Sequence, residues 1–406
     1  MSHTAVVHDA AELVRNDPDG AADDPVAGGA VAVEDGTVVA AGPTDRVTRA
    51  YPPENADVAV DASGKTLLPG FVDPHTHAVF AGDRADEFTA KLEGATYQEI
   101  MAEGGGILRT VRAVREATAE TLVSNLLAHL DTMLAYGTTT AEVKSGYGLE
   151  TDAELKLLSA IREADRRHPI DVVPTFMGAH AVPDGLDPDD YVDRVVDDQL
   201  PAVVDQGVAE FCDVFCEEGF FDVAQSRRVL DAGNDRGLTP KVHAEELARI
   251  GGTQLAAEVG AASADHLLHA TAEDAGALAD AGVTPVLLPG TAFSLGADYA
   301  DPDLFREAGA LPAIATDFNP NCHSHSMGFA QSLACVGMGM TPAQALLAST
   351  HNAAEALDLP ARHGTLREGA PADLVVVDAP SFVHVPYQYG VNLVETVWKD
   401  GERVHG

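Results

Sequence analysis

Lysine is nearly missing from this 406-residue chain, standing only at positions 65, 91, 144, 156, 241 and 399. Lysine and arginine together number 25 against 64 acidic residues, a formal charge of −39. That balance excludes the basic patches by which proteins hold nucleic acid or anionic membranes. Self-repulsion on this scale destabilises a compact chain in dilute buffer. Molar salt shortens the screening length to about 3 Å and removes the penalty. The composition therefore predicts a salt-rich cytoplasm, as in a halophile. Cysteine is scarce too, at positions 212, 216, 322 and 335. A lone Cys-x3-Cys in FCDVFC, with no second pair, excludes a zinc knuckle and reads as reduced thiols in a reducing cytoplasm. No apolar run reaches the roughly 18 residues of a membrane span. The opening MSHTAVVHDAAELVRND has neither the basic start nor the apolar stretch of a secretory leader. Phosphate-binding fingerprints are absent as well: the glycines at 104–106 lack both P-loop and GxGxxG spacing. They read as part of a loop, 94–108, that closes over a site.

What is present is a large core. The hydrophobic fraction of 46% excludes disorder. Residues 1–68 and 356–406 share one texture, short apolar runs broken by glycine-rich turns, as in GGAVAVEDGTVVAAG and ADLVVVDAP. They predict a small composite β-sandwich domain assembled from both ends. Between them, 69–355 alternates short apolar runs with helical patterns. Eight strands are expected, at Phe71–His77, Thr138–Lys144, Asp171–His180, Glu210–Glu217, Pro240–His243, Ala262–Leu268, Val283–Leu288 and Ala313–Asp317. The fold class is α/β, a (β/α)8 TIM barrel, whose chemistry sits at the C-terminal ends of its strands. A doubly wound sheet would need the missing phosphate fingerprint.

The barrel reading turns attention to LPGFVDPHTH, residues 68–77. If 71–77 is a strand, alternation puts His75 and His77 on one face, where two imidazoles can share a divalent metal. An arbitrary His-x-His more often only caps a strand. Here, however, later strands also end in polar residues: EVKSGYG, GAH with His180, KVHAEE with His243, SADHL with His266 and ATDFNP with Asp317. Any one of these could be a core residue with a satisfied hydrogen bond. Their recurrence at strand ends points to a metal site.

His-x-His, two later histidines and an aspartate in the last strand resemble the amidohydrolase superfamily. The strings HTHAVFAGDRADEF, KLEGATYQEI, GGGIL, EVKSGYGLE, TFMGAHAVP, AEFCDVFCE, SADHL, VLLPG and TDFNP resemble, within it, the imidazolonepropionase family, over nearly the whole chain. The resemblance implies hydrolysis of the ring amide of 4-imidazolone-5-propanoate to N-formimino-L-glutamate, the third step of histidine degradation. It implies one zinc or iron ion held by His75, His77, His243 and Asp317. It implies substrate contacts from Arg84, Tyr147, His180, Glu246, Asn319, Asn321 and Cys322, with Arg84 gripping the propionate. Proton transfers fall to Glu246, His266 and Asp317, their division left open. A homodimer is implied, with no interface residue to point to.

Three features compete. His323 and His325 form a second His-x-His where the family continues with glycine and small hydroxyl residues, which puts Asn321 and Cys322 in doubt as contacts. Lys144 occupies a strand end, where binuclear relatives use a carboxylated lysine; a mononuclear site makes it a structural cation. The alternative function is a guanine- or cytosine-type deaminase, which shares the histidines but has less use for Arg84. An inactive binding or assembly protein is a third reading, which the full set of implied ligands and acid–base groups argues against.

Overall fold

In the computed structural model the described residues are 3–16, 25–95, 99–100, 104–360 and 362–406. Part of the expected closing loop, 96–98 and 101–103, lies outside them. Five strands open the chain: β1 (Thr4–Leu13), β2 (Val26–Glu34), β3 (Thr37–Pro43), β4 (Val58–Asp61) and β5 (Thr66–Pro69). Eight more form the middle: β6 (Phe71–Asp73), β7 (Thr138–Lys144), β8 (Asp171–Ala179), β9 (Phe211–Cys216), β10 (Thr239–Ala244), β11 (Ser263–His266), β12 (Thr284–Leu287) and β13 (Ala313–Ile314). Three close it: β14 (Leu374–Val377), β15 (Val394–Lys399) and β16 (Glu402–His405).

Among the described residues β1–β5 and β14–β16 join in one sheet, β14 pairing antiparallel with β5 so that the two ends of the chain meet. Period-2 alternation sorts its residues. Leu67, Leu374 and Val376 face a local core with Val7, Leu13, Val31 and Trp398. Their neighbours Leu68, Val375 and Val377 join the core that continues into the barrel. Gly70 sits at the junction because a Cβ there would lie 2.2 Å from the Thr139 hydroxyl; only glycine permits that approach.

Strands β6 to β13 follow one another in parallel register, and helices lie between them, as expected for a TIM barrel. Apart from the first residues of β8, β10 and β12, their residues are buried on both faces. The helices start on sequence-encoded caps: Thr118 accepts from the Thr121 amide, and Asp222–Gln225 and Thr341–Gln344 form capping boxes. The barrel closes at its C-terminal end. A parallel bridge joins Thr76 to Phe318, and Asp73 accepts from the Thr316 amide (3.1 Å) and hydroxyl (2.5 Å).

Six of the eight strands are shorter than expected, β6, β11 and β13 by three residues or more. β6 ends at Asp73 because Pro74 has no N–H to continue the ladder. β13 ends at Ile314. His75, His77 and Asp317 therefore stand on irregular backbone just beyond the ladders.

Candidate metal centre and substrate cavity

The bridge at Thr76 puts His75 and His77 on either side of one residue, both turned toward the barrel axis. His75 is fully buried and His77 and His243 are 3% exposed. Among the described residues, these three form the one group of three metal-binding side chains whose ligand atoms all lie within 4.8 Å of one another. His77 Nε2 and His243 Nε2 are 3.3 Å apart. Asp317 brings Oδ1 to 3.6 Å from His75 Nε2 and 3.9 Å from His77 Nε2. Its other oxygen accepts from the Thr291 hydroxyl. Asp317 reaches this position with φ of 51°, and His266 with φ of 81°. Left-handed backbone in non-glycine residues is strained, and it concentrates at working sites.

The residues fit a metal ion. His75 Nε2 is buried without a hydrogen-bond partner, an expensive state for a polar atom unless something else coordinates it. Behind it, His75 Nδ1 lies 2.6 Å from Asp265 Oδ2, and His243 Nδ1 lies 3.0 Å from Asp213 Oδ2. Carboxylates in that position orient a ligand imidazole and fix its tautomer. Burial, helped by the Lys144 charge, holds His75 well below its usual pKa; burial and His180 do the same for His77. Both are neutral, as ligation requires.

A cavity of about 350 Å³ opens above the histidines. Arg84, Tyr147, His180, Glu246, His266, Asn319 and Asn321 all line it with His77, His243 and Asp317, while Ile107, Phe215, Phe220, Leu247 and Leu295 supply apolar wall. Cys322 does not line it: the thiol is buried 3.6 Å from the Thr316 carbonyl. The turn folds it inward, since the Asn319 side-chain oxygen accepts from the amides of Asn321 (2.7 Å) and Cys322 (2.9 Å).

His180 stacks on His77 with centroids 4.8 Å apart and contacts the Gly146 carbonyl through Nδ1 at 3.0 Å. If Nδ1 carries the proton, Nε2 is left as an acceptor. Burial and the neighbouring His243 push its pKa down to about 3. Gly146 is obligatory there: with φ of 95°, a Cβ would also sit 2.9 Å from the Met177 carbonyl. Burial, then the Asp317 and Glu217 carboxylates, push Glu246 up to about 8. It holds a proton at neutral pH, 3.7 Å from His266 Nε2. Burial pushes Asp317 up to about 6, against the Thr291 hydrogen bond.

Sequence reasoning missed the supporting carboxylates. Glu87 accepts from Arg84 Nε and Nη2, each at 2.8 Å. Glu154 accepts from the amides of Gly146, Gly148 and Leu149, at 2.7–2.9 Å. Glu217 takes four amides, those of Glu218, Glu246, Leu247 and Ala248. Asp213 carried a visible signal, since it interrupts an otherwise apolar strand; Asp265, in the polar run SADH, did not. The clamping glutamates carried none, being ordinary acids in an acidic chain.

Residues 66–404 match the amidohydrolase family, and 29–53 match the imidazolonepropionase-like composite domain of bacteria. The imidazolonepropionase of Haloarcula marismortui is 70% identical over 98% of this chain and 96% of its own. That of Halobacterium salinarum is 64% identical over 98% and 97%. The chain belongs to the amidohydrolase family and, within it, to the imidazolonepropionases. Among solved structures, a zinc-bound adenosine deaminase from Xanthomonas campestris superposes with a TM-score of 0.76 over 99% of this chain and 92% of its own. At 19% identity that likeness speaks for the fold alone. Membership places the chain among hydrolases, and the three-histidine group is where such an enzyme can carry its metal.

Proposed function

We propose that the chain hydrolyses the ring amide of 4-imidazolone-5-propanoate, adding water across the C–N bond to give N-formimino-L-glutamate. The observation that carries this reading is one cavity with a guanidinium, Arg84, among the same lining residues as His77, His243 and Asp317. A fork-shaped cation suits a carboxylate-bearing substrate in a chain of net charge −39. His75, His77, His243 and Asp317 would hold one zinc or iron ion. When bound, such an ion polarises the carbonyl and brings the pKa of water toward neutrality.

The chain's own groups supply the rest. Glu87 holds Arg84 so that its guanidinium faces the propionate. Tyr147 and His180 bracket the ring, and the apolar wall excludes bulk water. Asn319 and Asn321 form the floor beside Asp317. His266 is neutral, because burial and His243 hold its pKa well below the usual value, and it orients the attacking water. Glu246, protonated at neutral pH, delivers a proton to the departing ring nitrogen. The acidic surface and the two relatives from Haloarcula and Halobacterium support a salt-rich cytoplasm as the setting, with stability rising from low to molar KCl. A homodimer is part of the same reading.

The test is loss of imidazolone absorbance in molar KCl beside an Asp317→Ala control, with metal content measured on the same sample. Turnover that needs one metal per chain and vanishes in the control is expected. Ammonia release from guanine or cytosine, with the imidazolone untouched, would replace this reading with a deaminase.

A further inference from the structure

Beneath the histidines lies a charged cluster with no part in the steps above. Glu142 and Lys144 on β7, Asp213 on β9, Lys241 on β10 and Asp265 on β11 are all fully buried. Lys144 Nζ donates to Asp213 Oδ2 at 2.7 Å and to Glu142 Oε1 at 2.9 Å, and stands 3.8 Å from Asp265 Oδ2. Lys241 Nζ donates to the Pro74 carbonyl at 3.0 Å and lies 3.2 Å from Glu142 Oε1. Asp213 and Asp265 are the carboxylates that back His243 and His75.

We propose that Lys144 is a positioning residue for the metal centre: one ammonium ties Asp213 and Asp265 together and through them sets His243 and His75. This inference rests on the reading that those histidines hold the metal. Its physical basis is that a buried carboxylate is held in place only by its partners. Asp213 Oδ2 faces two, Lys144 on one side and His243 on the other. Without the ammonium, three buried carboxylates repel one another across the barrel with Lys241 alone to offset them. Asp213 then has no cation to keep it against His243 Nδ1. The same contacts argue against a carboxylated lysine, because a carbamate would add a fourth anion to three. Two of only six lysines stand in this cluster, where the charge of the surface plays no part.

A residue that merely stabilised the barrel would share most of these contacts, so the test separates stability from metal binding. Lys144→Met is compared with the double variant Lys144→Met/Glu142→Gln, which removes one charge of each sign and protects the fold. Zinc affinity of the metal-free protein is read by chelator competition, and ligand geometry by the visible spectrum of bound cobalt(II). The double variant is expected to unfold near the wild-type temperature without metal. It should still bind zinc about 10–100-fold more weakly, the range seen when a group supporting a ligand is lost, with an altered cobalt spectrum. Lys144→Met should show the same loss of affinity together with lower stability. A double variant that binds zinc like the wild type, with an unchanged cobalt spectrum, overturns the proposal. A wild-type protein that binds no zinc or cobalt would instead overturn the metal-centre reading itself.

Discussion

The chain carries the same short motif twice, and only one copy forms a metal-ligand group. His75-Thr76-His77 and His323-Ser324-His325 have identical spacing and both lie just beyond barrel strands. The first pair converges with His243, and carboxylates stand behind His75 and His243. The second pair turns its rings onto Phe318, at centroid distances of 5.0 and 3.9 Å, and toward His129 at 6.3 and 5.6 Å. Their neighbours are aromatic rings, and the described residues place no carboxylate behind either one. Two imidazoles at the right spacing are therefore insufficient. A third ligand from a distant strand, and anions to orient the rings, make the difference.

The comparison breaks most sharply by exchanging the pairs' fates. His243→Ala should abolish bound metal and lower kcat by more than about a hundredfold, beyond the loss typical of supporting groups. His325→Ala should keep both, as metal analysis and steady-state rates on the two proteins would reveal. Equal losses would mean that the second pair takes part in the chemistry.

Next in size is Asp265→Asn, which keeps volume but removes the anion behind His75. Zinc affinity should fall about 10–100-fold, with kcat following at limiting metal. An unchanged affinity would make the carboxylates incidental to the contrast.

Smaller still is Glu217→Ala. It strips the acceptor from four amides and frees the loop bearing Glu246. A stability loss of about 2–4 kcal/mol is expected, with kcat reduced more than metal content. Urea unfolding and metal analysis would test this.

The smallest effect belongs to the second pair itself. Burial, with repulsion from His129 and His323, pushes His325 down to about 4. Above pH 6.5 it is neutral in both folded and unfolded chains and contributes no pH dependence. As pH falls from 6.5 to 4 the unfolded chain takes up the proton first, so stability declines over that window. His325→Phe should flatten this limb of a melting-temperature profile; an unaltered slope would show that the ring titrates freely.

These contrasts also mark what was legible in the chain. The β-strand Thr138–Lys144 stands in the structure at its expected ends, because a run rich in β-branched residues, Thr138–Thr140 and Val143, lies between the glycines Gly137 and Gly146. The ends of β6 and β13 were read too long, since Pro74 and the left-handed Asp317 interrupt pairing in ways that hydrophobic pattern does not show. Ten of the residues read as functional line one cavity, and His75 sits directly below it. Cys322 is the exception, drawn inward by the Asn319 turn.

The sequence by itself determined the barrel, the composite sheet and the candidate ligands, because apolar periodicity and strand-end residues are local properties of the chain. Which of 64 acids became buried clamps only the tertiary structure decided. Those choices depend on contacts such as His75 with Asp265 and Lys144 with Asp213, between residues 190 and 69 positions apart. Burial then multiplies their electrostatic effect.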